Sequence, residues 1–218
     1  MTRFFKDNGL TIVLMLLFLG SILGHWLAGL HFQNEELAAH GQPPLGPIQY
    51  LGDPQFLSTV FENWESEFLQ MSAYVVLTAY LYQRGSSESA DPDAGPRKGD
   101  RIRKNKNHDA PGPLRYGIIT RWTYGHSLGI VLMLLFIASF AMHWIFSAKE
   151  AATEALLHGE QSLSVTQYLG SSQLWFESFQ NWQSEFLSIG AMVYLSVYLR
   201  QRGSPESKAV ETPHDENE

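Results

Sequence analysis

Two kinds of ionisable side chain stand in oily surroundings and are each written twice, 118 residues apart: His25 with His143, and Glu67 with Glu185. An imidazole that titrates near neutrality, set beside a carboxylate inside a membrane, is a pairing that relays protons or passes cations. Two imidazoles and two carboxylates are also ligand types that suit zinc or iron, although the Glu-x-x-His spacing of di-iron bundles is absent. A third reading needs no chemistry, because a His-Glu pair between neighbouring helices satisfies both groups and sets their packing. Asn63 and Asn181 precede the two glutamates by four residues, one helical turn away on the same face.

These residues belong to an internal duplication. Phe61-Glu62-Asn63-Trp64-Glu65-Ser66-Glu67-Phe68-Leu69 returns as Phe179-Gln180-Asn181-Trp182-Gln183-Ser184-Glu185-Phe186-Leu187. A gapless shift of 118 matches 18 of the 30 positions from Val60 to Ser89 and 11 of the 17 from Leu10 to Trp26. Glu62 and Glu65 become Gln180 and Gln183, so those two carboxylates cannot belong to a strictly symmetric site. Glu36 and His40 recur as Glu154 and His158, each histidine followed by glycine, which reads as a helix end with a glycine cap. Trp26, Trp64, Trp144 and Trp182 recur too and read as anchors at a membrane interface.

The elements that must position these groups follow from hydropathy. Leu10 to Leu23 and Leu128 to Ala141 carry no charge, and with their flanks each reaches the roughly 20 residues needed to cross a bilayer. The expectation is an all-α membrane protein with four transmembrane helices, at about residues 9–30, 64–83, 127–146 and 184–200, arranged as two parallel two-helix repeats beneath a helical or loop outer cap. The first repeat covers residues 1–89 and the second 118–207, with a basic disordered linker at 90–117 and an acidic tail, expected to be mobile, at 208–218. Gly20, Ser21 and Gly24 let a neighbouring helix approach the first span closely.

Charge sets the expected topology. Of 15 Lys and Arg, 14 fall at the two ends and between Arg84 and Arg121, leaving Lys149 alone in the long segments 31–66 and 147–184. The positive-inside bias then puts both termini and the middle loop in the cytoplasm. Counting 16 residues up from Gly9 to His25, and 16 back from Gln83 to Glu67, places both groups ~24 Å above the inner boundary, at one level. An ionisable side chain at that depth costs at least ~2.5 kcal/mol and needs a partner or a wet cavity.

No cysteine is present, which removes disulfides, thiolate metal sites and cysteine nucleophiles. No phosphate-binding, dinucleotide, nucleophile-elbow or zinc-protease motif appears, so the balance leans away from an enzyme and no cofactor is implied. Arg97 to Lys106 is basic, but beside membrane spans it reads as attraction to anionic lipid headgroups, with no nucleic acid as partner.

The repeated Gly-His-Trp or Met-His-Trp, Asn-Trp-x-Ser-Glu-Phe-Leu and Gln-Arg-Gly-Ser-x-Glu-Ser resemble those of a family of small bacterial integral-membrane proteins, a domain of unknown function. The resemblance covers nearly the whole chain outside the linker and tail. It implies a bacterial inner-membrane setting and carries no activity. The functional expectation is an oligomeric cation or proton channel or transporter, most simply a dimer, using the His/Glu layer. The alternatives are a non-catalytic membrane scaffold or accessory subunit, and a metal-dependent membrane enzyme.

Overall fold

The structure, a computed structural model, describes residues 3–95 and 111–217. Among them are seven α-helices, one 3-10 turn and no strand. The helices are α1 (Arg3–Ala39), α2 (Pro47–Tyr50), α3 (Pro54–Leu77), α4 (Ile118–Gly125), α5 (Ser127–Leu157), α6 (Val165–Tyr168) and α7 (Ser172–Tyr198). The starts of α2 and α6, and of α3 and α7, are each 118 apart (47 and 165, 54 and 172), as are the ends of α1 and α5 (39 and 157).

Two helices, α1 and α5, are long and apolar enough to cross a membrane, against the four expected. Their apolar side chains face outward: Leu10, Leu16, Leu17, Leu128 and Leu134 are all more than half exposed. A core helix of a water-soluble protein would bury such residues, whereas lipid leaves them where they are. The helices α3 and α7, 24 and 27 residues long, are long enough, but their N-terminal halves are too polar to meet the same test. The helix α3 stops at Leu77 rather than near Gln83, because Thr78 Oγ1 bonds back to the Tyr74 carbonyl and the next N–H groups fold into tight turns onto Val76 and Leu77.

The helix bounds differ from those of the depth count: α1 begins at Arg3 rather than near Gly9, and α3 ends at Leu77 rather than near Gln83. The helices α1 and α5 run on past residues 30 and 146, where the spans were expected to end, through Glu36 and Glu154 to Ala39 and Leu157.

The chain divides into two compact units, one of Met1–Val60 with Met142–Gly170, the other of Phe61–Ala141 with Ser171–Glu218. In the first unit both long helices end in the same glycine-capped turn. Gln42 N–H reaches the Leu37 carbonyl and Gly41 N–H the Ala38 carbonyl; Glu160 and Gly159 repeat this on Ala155 and Leu156. Gly41 and Gly159 sit at φ of 69° and 71°, where a side chain is disfavoured. The single turns α2 and α6 are closed by Gln49 and Gln167, whose amide oxygens accept from the N–H of Gly46 and Ser164. Tyr50 and Tyr168 plug them inward, 0% and 2% exposed. The repeated Gln-Tyr-Leu-Gly is therefore a folded plug.

In the second unit α3 and α7 run alongside in the same direction. Glu62 pairs with Asn181, Glu65 with Trp182, and Gln70 with Ser188, so the contacts advance together along both helices. The repeated Gln-Arg-Gly-Ser-x-Glu-Ser forms one loop twice. Gln83 and Gln201 each donate N–H to Ser89 Oγ and Ser207 Oγ at 2.8 Å, and Glu88 and Glu206 donate to Ser86 Oγ and Ser204 Oγ.

The described parts of the linker and the tail carry local structure. Within the supposed linker, residues 96–110 lie outside the described residues, but Arg84 reaches across to Asp93 at 2.8 Å and Gly112–Arg115 makes a 3-10 turn leading into α4. The tail is folded too. Lys208 is 1% exposed, its ammonium donating to the Pro213, His214 and Glu216 carbonyls, because a buried charge must find acceptors.

Candidate functional site

The first unit contains a cavity of about 360 Å³ whose rim is built from the repeated outer residues. Glu36 and His40 come from the end of α1, and Glu154 and His158 from the end of α5; half-buried Asp53 and Glu150 line it as well. The two imidazoles meet edge to face with ring centroids 5.5 Å apart. His40 Nδ1 is 2.9 Å from the Glu36 carbonyl of the preceding turn, which fixes the ring at the helix end. The capping role read from His-Gly is present, and the meeting of the two rings is an addition that no helix cap requires.

Burial is felt around the cavity-lining Asp53, Gln55 and Glu150. The Tyr50 hydroxyl donates to Gln55 Oε1 at 2.5 Å, and its pKa is pushed up to about 12 by burial first, then by the negative charges of Asp53 and Glu150. Asp53 is itself raised above the usual carboxylate range by burial, against the opposing pull of the Gln55 N–H. Glu150 accepts a short hydrogen bond from Ser58. Four carboxylates around one opening make a negative vestibule, which draws cations and repels anions.

The four residues of the expected His/Glu layer have different surroundings. His25 is half-buried, its Nε2 3.1 Å from Thr59 Oγ1 and its ring tilted against Phe56. His143 is fully buried, 0% exposed. These two belong to the first unit, while Glu67 and Glu185 belong to the second, where Glu67 is exposed and Glu185 half-buried. The fully buried carboxylate is Glu65, which accepts from the Trp182 indole at 2.8 Å, with Glu62 beside it on Asn181 at 2.6 Å. Asn181 is thus a partner of the first copy's Glu62, whereas Asn63 is exposed.

Sequence reasoning set Glu62 and Glu65 aside because the second copy replaces them by glutamine. That difference was itself the signal: a carboxylate kept in one copy only is free to bind the other copy's Asn and Trp. The four tryptophans, expected as interface anchors, make specific contacts within the chain. Trp26 donates to the Pro47 carbonyl and Trp144 to the Val165 carbonyl, fastening α2 and α6 back onto the long helices. Trp64 and Trp182 stand edge to face against Phe61 and Phe179.

Among the described residues no group of three His, Asp or Glu side chains is placed to hold a metal ion. The profile of one protein family, described as a domain of unknown function (DUF6766), matches residues 1–218. No curated protein and no solved structure matches the chain.

Proposed function

The chain belongs to the DUF6766 family, and from that premise we propose an integral membrane protein of the bacterial inner membrane that passes protons or small cations. The observation that carries the reading is Glu65, a carboxylate 0% exposed in a chain whose longest helices present bare hydrocarbon. A buried ionisable group in a membrane protein is costly and marks ion or proton pathways. His143, equally buried on α5, supplies a second titratable group, and the acidic outer vestibule raises the local cation concentration.

The topology proposed keeps both termini in the cytoplasm, as the distribution of Lys and Arg requires. The polar helices α3 and α7 complete two parallel repeats. Gln70 meeting Ser188 supports this, since those positions are 118 apart and equivalent residues meet only near a two-fold axis. Gly20 and Gly24 have no heavy atom within 4 Å of a built Cβ, a bare small-residue face that suits a second copy of the chain. A dimer would enclose the space that so few helices lack. The basic residues of 97–106 would rest on anionic headgroups.

The deciding experiment is cation and proton flux into proteoliposomes, wild type against Glu65→Gln. The amide keeps the shape and the indole contact but neither titrates nor carries charge. Flux should fall by roughly tenfold or more, the size expected when a charged pathway group is removed. No flux in the wild type, or equal flux in the variant, overturns the reading. A scaffold role is the second reading, favoured by the two ordered loops after α3 and α7; co-purification of a stoichiometric partner without any flux would establish it.

A further inference from the structure

The loop after α3 holds a side chain, and the loop after α7 repeats its form. In the first loop the Asn217 amide nitrogen lies 2.9–3.5 Å from the carbonyl oxygens of Gln83, Ser86, Ser89 and Ala90, while its oxygen accepts from Gly85 N–H at 2.7 Å. One carboxamide therefore serves a ring of acceptors and a single donor at once. The backbone there is set by Gly85 at φ 80° and by the hydrogen bonds of Ser86 and Ser89. The tail lies so close that a Cβ on Gly85 would stand 1.9 Å from the His214 carbonyl oxygen.

The second loop repeats that frame with one bond more, Ser207 N–H to the Ser204 carbonyl at a long 3.4 Å. Gly203 sits at φ 84°, Ser204 N–H bonds the Gln201 carbonyl as Ser86 does that of Gln83, and the Ser207 hydroxyl ends on the Lys208 carbonyl as Ser89 does on that of Ala90. A backbone held by the same bonds turns the Gln201, Ser204 and Ser207 carbonyls and the Gly203 N–H inward in the same way. Here the surroundings differ. Gln201, Arg202 and Gly203 are exposed, and nothing lies within 4 Å of a Cβ built on Gly203.

We propose that the Gln201–Ser207 loop is a binding site for a side-chain carboxamide, specifically an asparagine presented by a peptide segment of a partner protein. The chemistry selects the class. Ammonium and guanidinium groups donate but cannot accept from Gly203 N–H; a carboxylate accepts but repels the carbonyls; a hydroxyl has one proton for several acceptors. Asparagine is chosen over glutamine because the first loop holds the shorter side chain. The chain's own Asn217 cannot serve, being engaged in the first loop. The inference is independent of the transport reading, since it concerns a loop and a peptide and not the buried carboxylate.

The test uses the full chain in lipid nanodiscs and a fluorescent peptide with the sequence of residues 213–218, Pro-His-Asp-Glu-Asn-Glu, read by anisotropy. A handful of hydrogen bonds predicts weak saturable binding, on the order of 10⁻⁴ M. Replacing the peptide asparagine by leucine or aspartate should weaken it by roughly tenfold or more. Gly203→Val in the protein should abolish it, and Ser207→Ala, a gentler change, should weaken it. Equal binding of the leucine peptide, or no saturable binding up to millimolar peptide, overturns the proposal. So does binding that survives Gly203→Val and Ser207→Ala but is lost with Gly85→Val, because the peptide would then be displacing the tail from the first loop.

Discussion

Single side chains here are held by neighbours whose loss can be forecast. Trp182→Phe removes the indole donor from Glu65 while keeping an aromatic ring, and a lost hydrogen bond to a charged group costs about 1.5–3 kcal/mol. Chemical denaturation in detergent micelles should show a loss of that size; an unchanged midpoint would mean Glu65 is satisfied without the indole. Gly29 packs against Tyr50, and a Cβ there would stand 2.3 Å from the phenol oxygen. Gly29→Ala must therefore push the plug outward, at about 1–3 kcal/mol for overpacking. Asp53 offers a test in pH. Its folded pKa is raised by burial, so its contribution to stability is complete below the ordinary carboxylate pKa of 3.8 and is lost as pH rises through the higher folded value. Asp53→Asn keeps an acceptor for the Gln55 N–H and removes the charge. The variant should be more stable than wild type at pH 7, with the difference vanishing near pH 3, as read by thermal melts at both.

At the scale of elements, each helix end is secured by a short repeated motif. His-Gly closes α1 and α5, Gln-Tyr-Leu-Gly builds α2 and α6, and Gln-Arg-Gly-Ser-x-Glu-Ser follows α3 and α7. Several members hold the tail: Lys208 on three carbonyls, His214 on the Val197 carbonyl, Thr212 under Arg200 and Asn217 on the first loop. Asn217→Asp swaps the amide donor for a second acceptor facing carbonyl oxygens. It should release the tail, seen as faster hydrogen exchange at Gly85 and protease cleavage after residue 208, with α1 and α5 unaffected. Protection equal to wild type would show that the other contacts, those of Lys208 and His214 among them, hold the segment without Asn217.

For the whole molecule, the absence of cysteine makes topology directly measurable, because one introduced thiol is the only one present. Glu160→Cys, just past the end of α5, should react with a membrane-impermeant maleimide from outside intact cells. Lys6→Cys should react only after permeabilisation. The opposite pattern would invert the proposed orientation, and with it the assignment of the acidic vestibule to the outer face. Assembly is tested in the same membranes: Gly20→Leu with Gly24→Leu covers the bare face of α1 with bulk and should shift cross-linked dimer to monomer.

What the residues determined unaided was local or periodic: the all-helical class, the two apolar spans, the duplication at 118 and the glycine-capped helix ends, all of which depend on neighbours within a turn or on composition over a span. Only the folded chain decided which carboxylate is buried. Glu62, Glu65 and Glu67 lie within two turns of one helix, and a rotation of α3 against α7 settles which of them meets Asn181 and Trp182 and which is left exposed. The end of α3 at Leu77 and the docking of Asn217 some 130 residues after its partners Ser86 and Ser89 were out of reach for the same reason. Both rest on hydrogen bonds chosen by three-dimensional packing, whose energies local propensity does not contain.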